Sequence, residues 1–222
     1  GTAVNILFVH RNFPGQYKHL APALAADRAN TVVAIGEKQN LGRIRHPRII
    51  EVGYKTPRAA SPQTHHYLYN LENGVRRGQA VVRTSLALRK QGFVPDLVCC
   101  NVGWGEGLFL KDVWPEARHL FYFEFFYGAS GRDVNFDPEF PSRFDDRLRI
   151  RIKNSVHLLS LEAADWCLTP TRWQHATFPL EHQGRMSVIH DGIDTNLCQP
   201  DPSAVLTLDD GTTFTRHDEV IT

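Results

Sequence analysis

The chain has 222 residues, 42% hydrophobic and 22% charged, which is room for one sizeable α/β domain or for a domain plus a fragment. Its 25 basic and 24 acidic side chains leave a formal net charge of +1, which excludes a general nucleic-acid-coating surface. Cys99, Cys100, Cys167 and Cys198 form no CxxC pair, and they are expected to be buried reduced thiols in a reducing cytoplasm.

The chain opens almost directly into a strand over 4–10, without a signal peptide. Pro14-Gly15 then makes a turn into a helical run that ends near Arg28. Pro22 would clash with the carbonyl of Lys18 inside that helix, so the helix either kinks there or begins near Leu20. Strands are expected over 31–35 and 48–52, followed by a loop over 53–66. Leu68, Leu71, Val75, Val82 and Leu86 recur at helical spacing within 67–91, and Gly92 stands where a helix-terminating glycine belongs. A strand over 96–100 puts Cys99 and Cys100 on opposite faces; a helix follows Gly107, and a fifth strand spans 119–125. Residues 128–142, rich in Gly, Pro, Asp and Asn, read as a loop. Over 145–163 helical spacing prevails over a short strand-like alternation, giving one helix. A strand over 165–169, a helix near 172–178 and a strand over 186–190 complete the alternation. After Pro200, Val205–Leu208 and Thr212–Phe214 flank Asp209-Asp210-Gly211 as a hairpin, and Asp218–Thr222 reads as the start of a further strand.

Alternating strands and helices imply a Rossmann-like three-layer α/β/α domain with a mostly parallel sheet. Residues 1–200 are assigned to it, and 201–222 to a linker hairpin and the start of a second domain. In such a sheet ligands bind beyond the carboxyl ends of the strands where the strand order reverses, between the first and fourth strands. Two unusual loops leave those ends, 10–16 and 101–107. Gly15, ahead of a helix, lets the backbone approach a phosphate, or else simply makes a tight turn. His10 faces the cleft or is a satisfied structural histidine. Gly103-Trp104-Gly105-Glu106-Gly107 is GxGxG, not GxGxxG, and it follows the fourth strand, which disfavours a nicotinamide or flavin dehydrogenase. Trp104 offers a sugar-stacking or a packing surface, and Glu106 a hydroxyl contact or a helix cap. Glu124, set among aromatics, requires a hydrogen-bonded partner, either an acceptor hydroxyl or loop backbone. His65-His66 lack partners at metal spacing, so no metal is expected. Arg143, Arg147, Arg149, Arg151 and Lys153 form a basic run, read as a solvated helix face. Its alternative use is contact with anionic lipid, at the inner face of a membrane, or with an acceptor phosphate. There is no Walker loop and no GxSxG elbow.

Asn12-Phe13-Pro14-Gly15-Gln16 with His19–Leu24, Gly103-Trp104-Gly105-Glu106, Glu124–Tyr127, Pro170–Gln174 and Ile189–Asp194 together resemble the N-terminal domain of family 4 glycosyltransferases, which have the GT-B fold. The resemblance covers nearly the whole chain, and the last segment departs from the family by carrying His190-Asp191 where Pro-Asn is usual. It implies transfer of a sugar from a nucleotide diphosphate sugar to a carbohydrate or other hydroxyl acceptor, with retention and without a cofactor or metal. Gly15 and Gln16 would lie at the donor phosphates, and His10, Asn12, Trp104, Glu106, Glu124 and Tyr127 on the acceptor side. Glu106 and Glu124 are the candidate catalytic groups, and Asp191, Gly192 and Asp194 the hinge. The family's basic pair and Glu-x7-Glu motif belong to a C-terminal domain, so this fragment alone is expected to be inactive. The alternatives are a stand-alone binding or interaction domain and another GT-B enzyme such as a nucleotide-sugar epimerase.

Overall fold

Strands buried on both faces are almost wholly apolar, and β1 (Asn5–Val9), β2 (Thr31–Glu37) and β4 (Leu97–Asn101) meet that description. In the computed structural model, which describes residues 2–218, they lie at the centre of a seven-stranded sheet. The remaining strands are β3 (Ile49–Tyr54), β5 (Arg118–Tyr122), β6 (Trp166–Thr169) and β7 (Met186–Val188). The order is β3-β2-β1-β4-β5-β6-β7, with every pairing parallel, as the alternation of elements predicts. The order reverses between β1 and β4, where Ile6 pairs with Leu97 and Val9 with Cys100. Leu7, Phe8 and Val9 are fully buried; burying a side chain of this size stabilises by about 1.5–3 kcal/mol.

Helices cover both faces. On one face α1 (Leu20–Ala26) packs with Phe8, Phe13, Ala34 and Cys99. On the other, α2 (Tyr69–Lys90) packs with Leu7, Val9, Val98 and Cys100. The two adjacent cysteines therefore do face opposite layers, but Cys198 is exposed, against expectation. Helix α1 begins at Leu20, so Pro22 falls in the first turn, where a missing N–H costs nothing. Gly15–Tyr17 is a separate 3-10 turn.

Helix α2 ends as its sequence requires. Gly92 takes φ +88°, and the N–H groups of Gly92 and Phe93 donate to the carbonyls of Arg89 and Leu88 in a Schellman motif. Its buried face is not the expected one. Gly74, Gly78, Val81, Ser85 and Leu88 point inward, while Leu68 is exposed. The small residues win because α2 rests backbone to backbone on the 102–107 loop. A β-carbon on Gly105 would stand 2.4 Å from Gly74 Cα.

Two further expectations are corrected. The helix expected over 145–163 is two, α4 (Phe144–Lys153) and α5 (Ser155–Ala163), because Asn154 between them turns its side chain onto Tyr127. Asn154 Nδ2 donates to the Tyr127 carbonyl at 2.7 Å, and its Oδ1 accepts from the Tyr127 N–H at 3.0 Å. Strand β5 ends at Tyr122, not 125; the Phe123 N–H still donates to the Leu168 carbonyl at 2.8 Å, and further on side chains take over, the Phe126 N–H donating to Thr177 Oγ1 at 3.1 Å. Shorter helices are α3 (Leu110–Val113), α6 (Arg172–His175) and α7 (Leu180–Gln183).

The chain divides into two compact units, 1–190 and 191–222. The second contains the expected hairpin, β8 (Val205–Thr207) paired antiparallel with β9 (Thr213–Thr215). Of the strand expected over Asp218–Thr222, residues 219–222 lie outside the described residues.

Candidate functional site

The carboxyl ends of β1, β4 and β5 deliver one polar side chain each to the point where the strand order reverses. From β1 comes His10, 2% exposed. Its Nδ1 accepts the Asn12 N–H at 2.9 Å, so the proton resides on Nε2, which donates to Gln16 Oε1 at 2.6 Å. Burial pushes the imidazole below its usual pKa, against smaller opposite effects from Gln16 and Glu124. The ring is therefore neutral at pH 7.

From β4 comes Asn101, whose Nδ2 donates to Gln16 Oε1 at 3.1 Å and to Glu124 Oε1 at 3.0 Å. Its Oδ1 accepts the Gly103 N–H at 3.0 Å. Glu124 follows β5. Gln16 Nε2 donates to the same Oε1 at 3.0 Å, and among the described residues no donor reaches Oε2. A neutral histidine, two amides and a carboxylate thus form one continuous network. The edge of Trp104 closes it, with ring centroids 5.6 Å from His10.

Gly15 serves the network through sterics. Its φ is +48°, and a β-carbon there would meet His10 Nε2 at 2.2 Å. Because His10 is buried and bonded at both nitrogens, the ring cannot swing aside. Packing of the protein's own imidazole is thus sufficient to require glycine at this position. Asn12 contributes from below, with Oδ1 accepting from Asn40 Nδ2 at 2.7 Å. Nearby Glu37 is fully buried and accepts from Arg11 Nε at 3.0 Å.

Glu106 is placed elsewhere. It is 1% exposed and accepts the Tyr54 hydroxyl at 2.8 Å, with Oε2 unpartnered. Burial raises its pKa, outweighing the Tyr54 hydrogen bond. It lies in the core and caps no helix. Tyr127 sits apart from the network, with Lys153 Nζ 3.7 Å over its ring. Asp191, Gly192 and Asp194 belong to the second unit, where Asp194 Oδ1 accepts from the Asn196 N–H at 2.9 Å.

Sequence reasoning missed Asn101 as a site residue, although a lone amide ending a buried apolar strand was the available signal. Among the described residues no group of three or more His, Cys, Asp and Glu could hold a metal ion, and no helix is long and apolar enough to cross a membrane.

A model described as "Glycosyl transferase family 4 group" matches residues 28–198. No curated protein matches the chain. Solved structures share the fold. A UDP-glucose: anthocyanidin 3-O-glucosyltransferase in complex with UDP superimposes with a TM-score of 0.51 at 11% identity, over 90% of this chain and 55% of that one. A UDP-glucosyltransferase from Polygonum tinctorium, capable of glucosylating indoxyl, gives 0.52 at 10% identity, over 86% and 52%. Os79 from O. sativa, in complex with UDP and deoxynivalenol-3-glucoside, gives 0.51 at 8% identity, over 86% and 53%. The chain spans about half the length of these structures.

Proposed function

The chain belongs to the glycosyl transferase family 4 group, and from that premise we propose that it is the acceptor-side half of a retaining hexosyltransferase. The complete enzyme would move a sugar from a nucleotide diphosphate sugar to a carbohydrate or other hydroxyl acceptor, as in polysaccharide biosynthesis. The observation that carries the reading is the His10–Gln16–Asn101–Glu124 network at the switch point of the sheet. Glu124 Oε2, which takes no donor among the described residues, lies there, at the carboxyl ends of the strands where such folds bind ligands.

In this reading Glu124 Oε2 accepts the proton-bearing acceptor hydroxyl and orients it toward the sugar's anomeric carbon. The two amide donors on Oε1 hold the carboxyl group in place. The departing diphosphate gains negative charge, which the Gly15–Gln16 main chain and basic groups of a C-terminal domain would stabilise. Residues 191–194 would join the two domains as a hinge. Residues 1–222 alone would be inactive, with the donor sugar read by the further domain.

The test is an assay of the chain extended past Thr222 with its downstream domain. Glu124→Gln, which can keep the same partners, is expected to lower kcat roughly a hundredfold while leaving the melting temperature nearly unchanged. Unaltered kcat would remove Glu124 from the reaction, and transfer by residues 1–222 alone would overturn the division of labour.

A cytoplasmic location at the inner face of a membrane is part of the reading. Phe136, Phe140 and Phe144 are exposed and stand among Arg143, Arg147 and Arg151, which are exposed as well. Aromatic side chains flanked by arginines suit an anionic bilayer surface.

A further inference from the structure

Beside the switch-point network lies a second concavity of about 290 Å³, enclosed by α2, the loop after β4, the segment after β5 and the α4–α5 junction. Arg77, Lys153, Trp104, Tyr127, Asn73 and His157 line it, and no acidic side chain does. Both cations are half-buried, and among the described residues neither has a carboxylate within ion-pairing distance. Arg77 donates to the Trp104 carbonyl at 3.3 Å, its one hydrogen bond among the described residues, and lies within electrostatic reach of Glu37 and Glu106 without pairing to either. Lys153 rests on the Tyr127 ring.

Two half-buried cations facing one cavity repel each other and lose hydration, a cost that an anion bound between them would offset. Aromatic walls supply flat apolar surface of the kind a sugar ring covers. His157 is 5% exposed, and its Nδ1 has no hydrogen-bond partner. Burial and, secondarily, Lys153 push its pKa down to about 4, so it offers a neutral imidazole and not a third charge. Trp104 borders both this cavity and His10, which makes the two sites contiguous.

We propose that this cavity is an anion subsite for the acceptor, holding a phosphate or carboxylate of the acceptor between Arg77 and Lys153 while its sugar lies against Trp104 and Tyr127. The proposal rests on the acceptor-side reading above and narrows it to anionic acceptors. The shared chemistry admits a soluble sugar phosphate or uronate and equally a phospholipid headgroup.

The experiment is a titration of residues 1–222, followed by the NMR resonance of the Trp104 indole N–H. The probes are glucose-6-phosphate, glucuronate, inorganic phosphate, UDP and neutral methyl glucoside. Phosphatidylcholine vesicles with and without phosphatidylglycerol form a separate arm. The anionic sugars are expected to shift the resonance and methyl glucoside not to. Lys153→Gln should weaken binding about tenfold or more with an unchanged melting temperature. Arg77→Gln should do the same, but it also removes the bond to Trp104, so Lys153→Gln decides. Raised salt should weaken binding as well. A response to phosphatidylglycerol alone assigns the anion to lipid, and one to the soluble probes alone assigns it to a free acceptor. Equal binding of methyl glucoside would overturn the anion preference and leave the acceptor reading standing. Silence toward every anion would overturn the subsite. A shift produced by UDP alone would overturn the acceptor-side reading along with it.

Discussion

The floor of the cleft and the segment over 128–148 both follow strands of one parallel sheet, and each carries a glycine with positive φ, Gly15 at +48° and Gly131 at +68°. At Gly15 a β-carbon would stand 2.2 Å from His10 Nε2; at Gly131 it would meet nothing within 4 Å. Around Gly15 the side chains of His10, Gln16, Asn101 and Glu124 are joined by hydrogen bonds, whereas around Gly131 aromatic side chains stand in solvent. The same residue type thus carries two meanings. In the floor, glycine is required by what surrounds it; in the outer segment, only by its own backbone.

Substituting both positions turns this contrast into a measurement. Gly15→Ala pays for left-handed backbone and for overlap with a ring that cannot retreat, so it should cost about 2–4 kcal/mol. In a chain of this length that is a drop of roughly 5–15 °C in melting temperature. Gly131→Ala carries the backbone cost alone, about 1 kcal/mol. Equal losses at the two sites would mean that the His10 ring yields, and the floor would not be the rigid element described here.

How much of this contrast was legible in advance depends on what sets each feature. The order of strands and helices, the switch point and the Gly92 terminus follow from local pattern, and they stand where the pattern puts them. The buried face of α2 does not, because hydrophobic periodicity favours Leu71 and Val75 while close backbone contact with Gly105 selects Gly74 and Gly78. The break at Asn154 depends on Tyr127, distant in sequence, and the end of β5 on Thr177 and Asn154. In the site, Glu106 and Glu124 looked equivalent. What separates them is a hydroxyl from Tyr54 on one and two amides from Gln16 and Asn101 on the other, all contributed by other elements. Long-range partners of this kind leave no trace in spacing.

Acid should act between the two regions, at His157. This ring packs against Phe123, Phe126 and Tyr127, and Lys153 is the charged group facing it. In the unfolded chain the imidazole takes a proton near 6.5, and in the folded protein only near about 4. The unfolded state therefore binds more protons within that window. Stability is complete above about pH 6.5 and falls as the pH is lowered toward 4, by on the order of 3 kcal/mol from this residue. His157→Gln should flatten that part of the melting-temperature profile. A variant as acid-sensitive as the parent would show that burial of this ring is not what holds it neutral.

The smallest effect on stability is expected in the outer segment, and it is informative because it is small. Phe136, Phe140 and Phe144 are 83%, 75% and 71% exposed, so each gains little from the folded state. Replacing each with serine should change stability by no more than about 0.5 kcal/mol, near the limit of a melting experiment. Affinity for vesicles containing phosphatidylglycerol responds differently, because in the proposed orientation the three rings enter the interface beside the arginines of α4. There the triple variant should lose most of its binding. Wild-type stability with lost binding would show a surface kept aromatic for a partner and not for the fold. A marked loss of stability would instead mean that these rings pack in solution, and the distinction between floor and outer segment would narrow to Gly15 and its histidine.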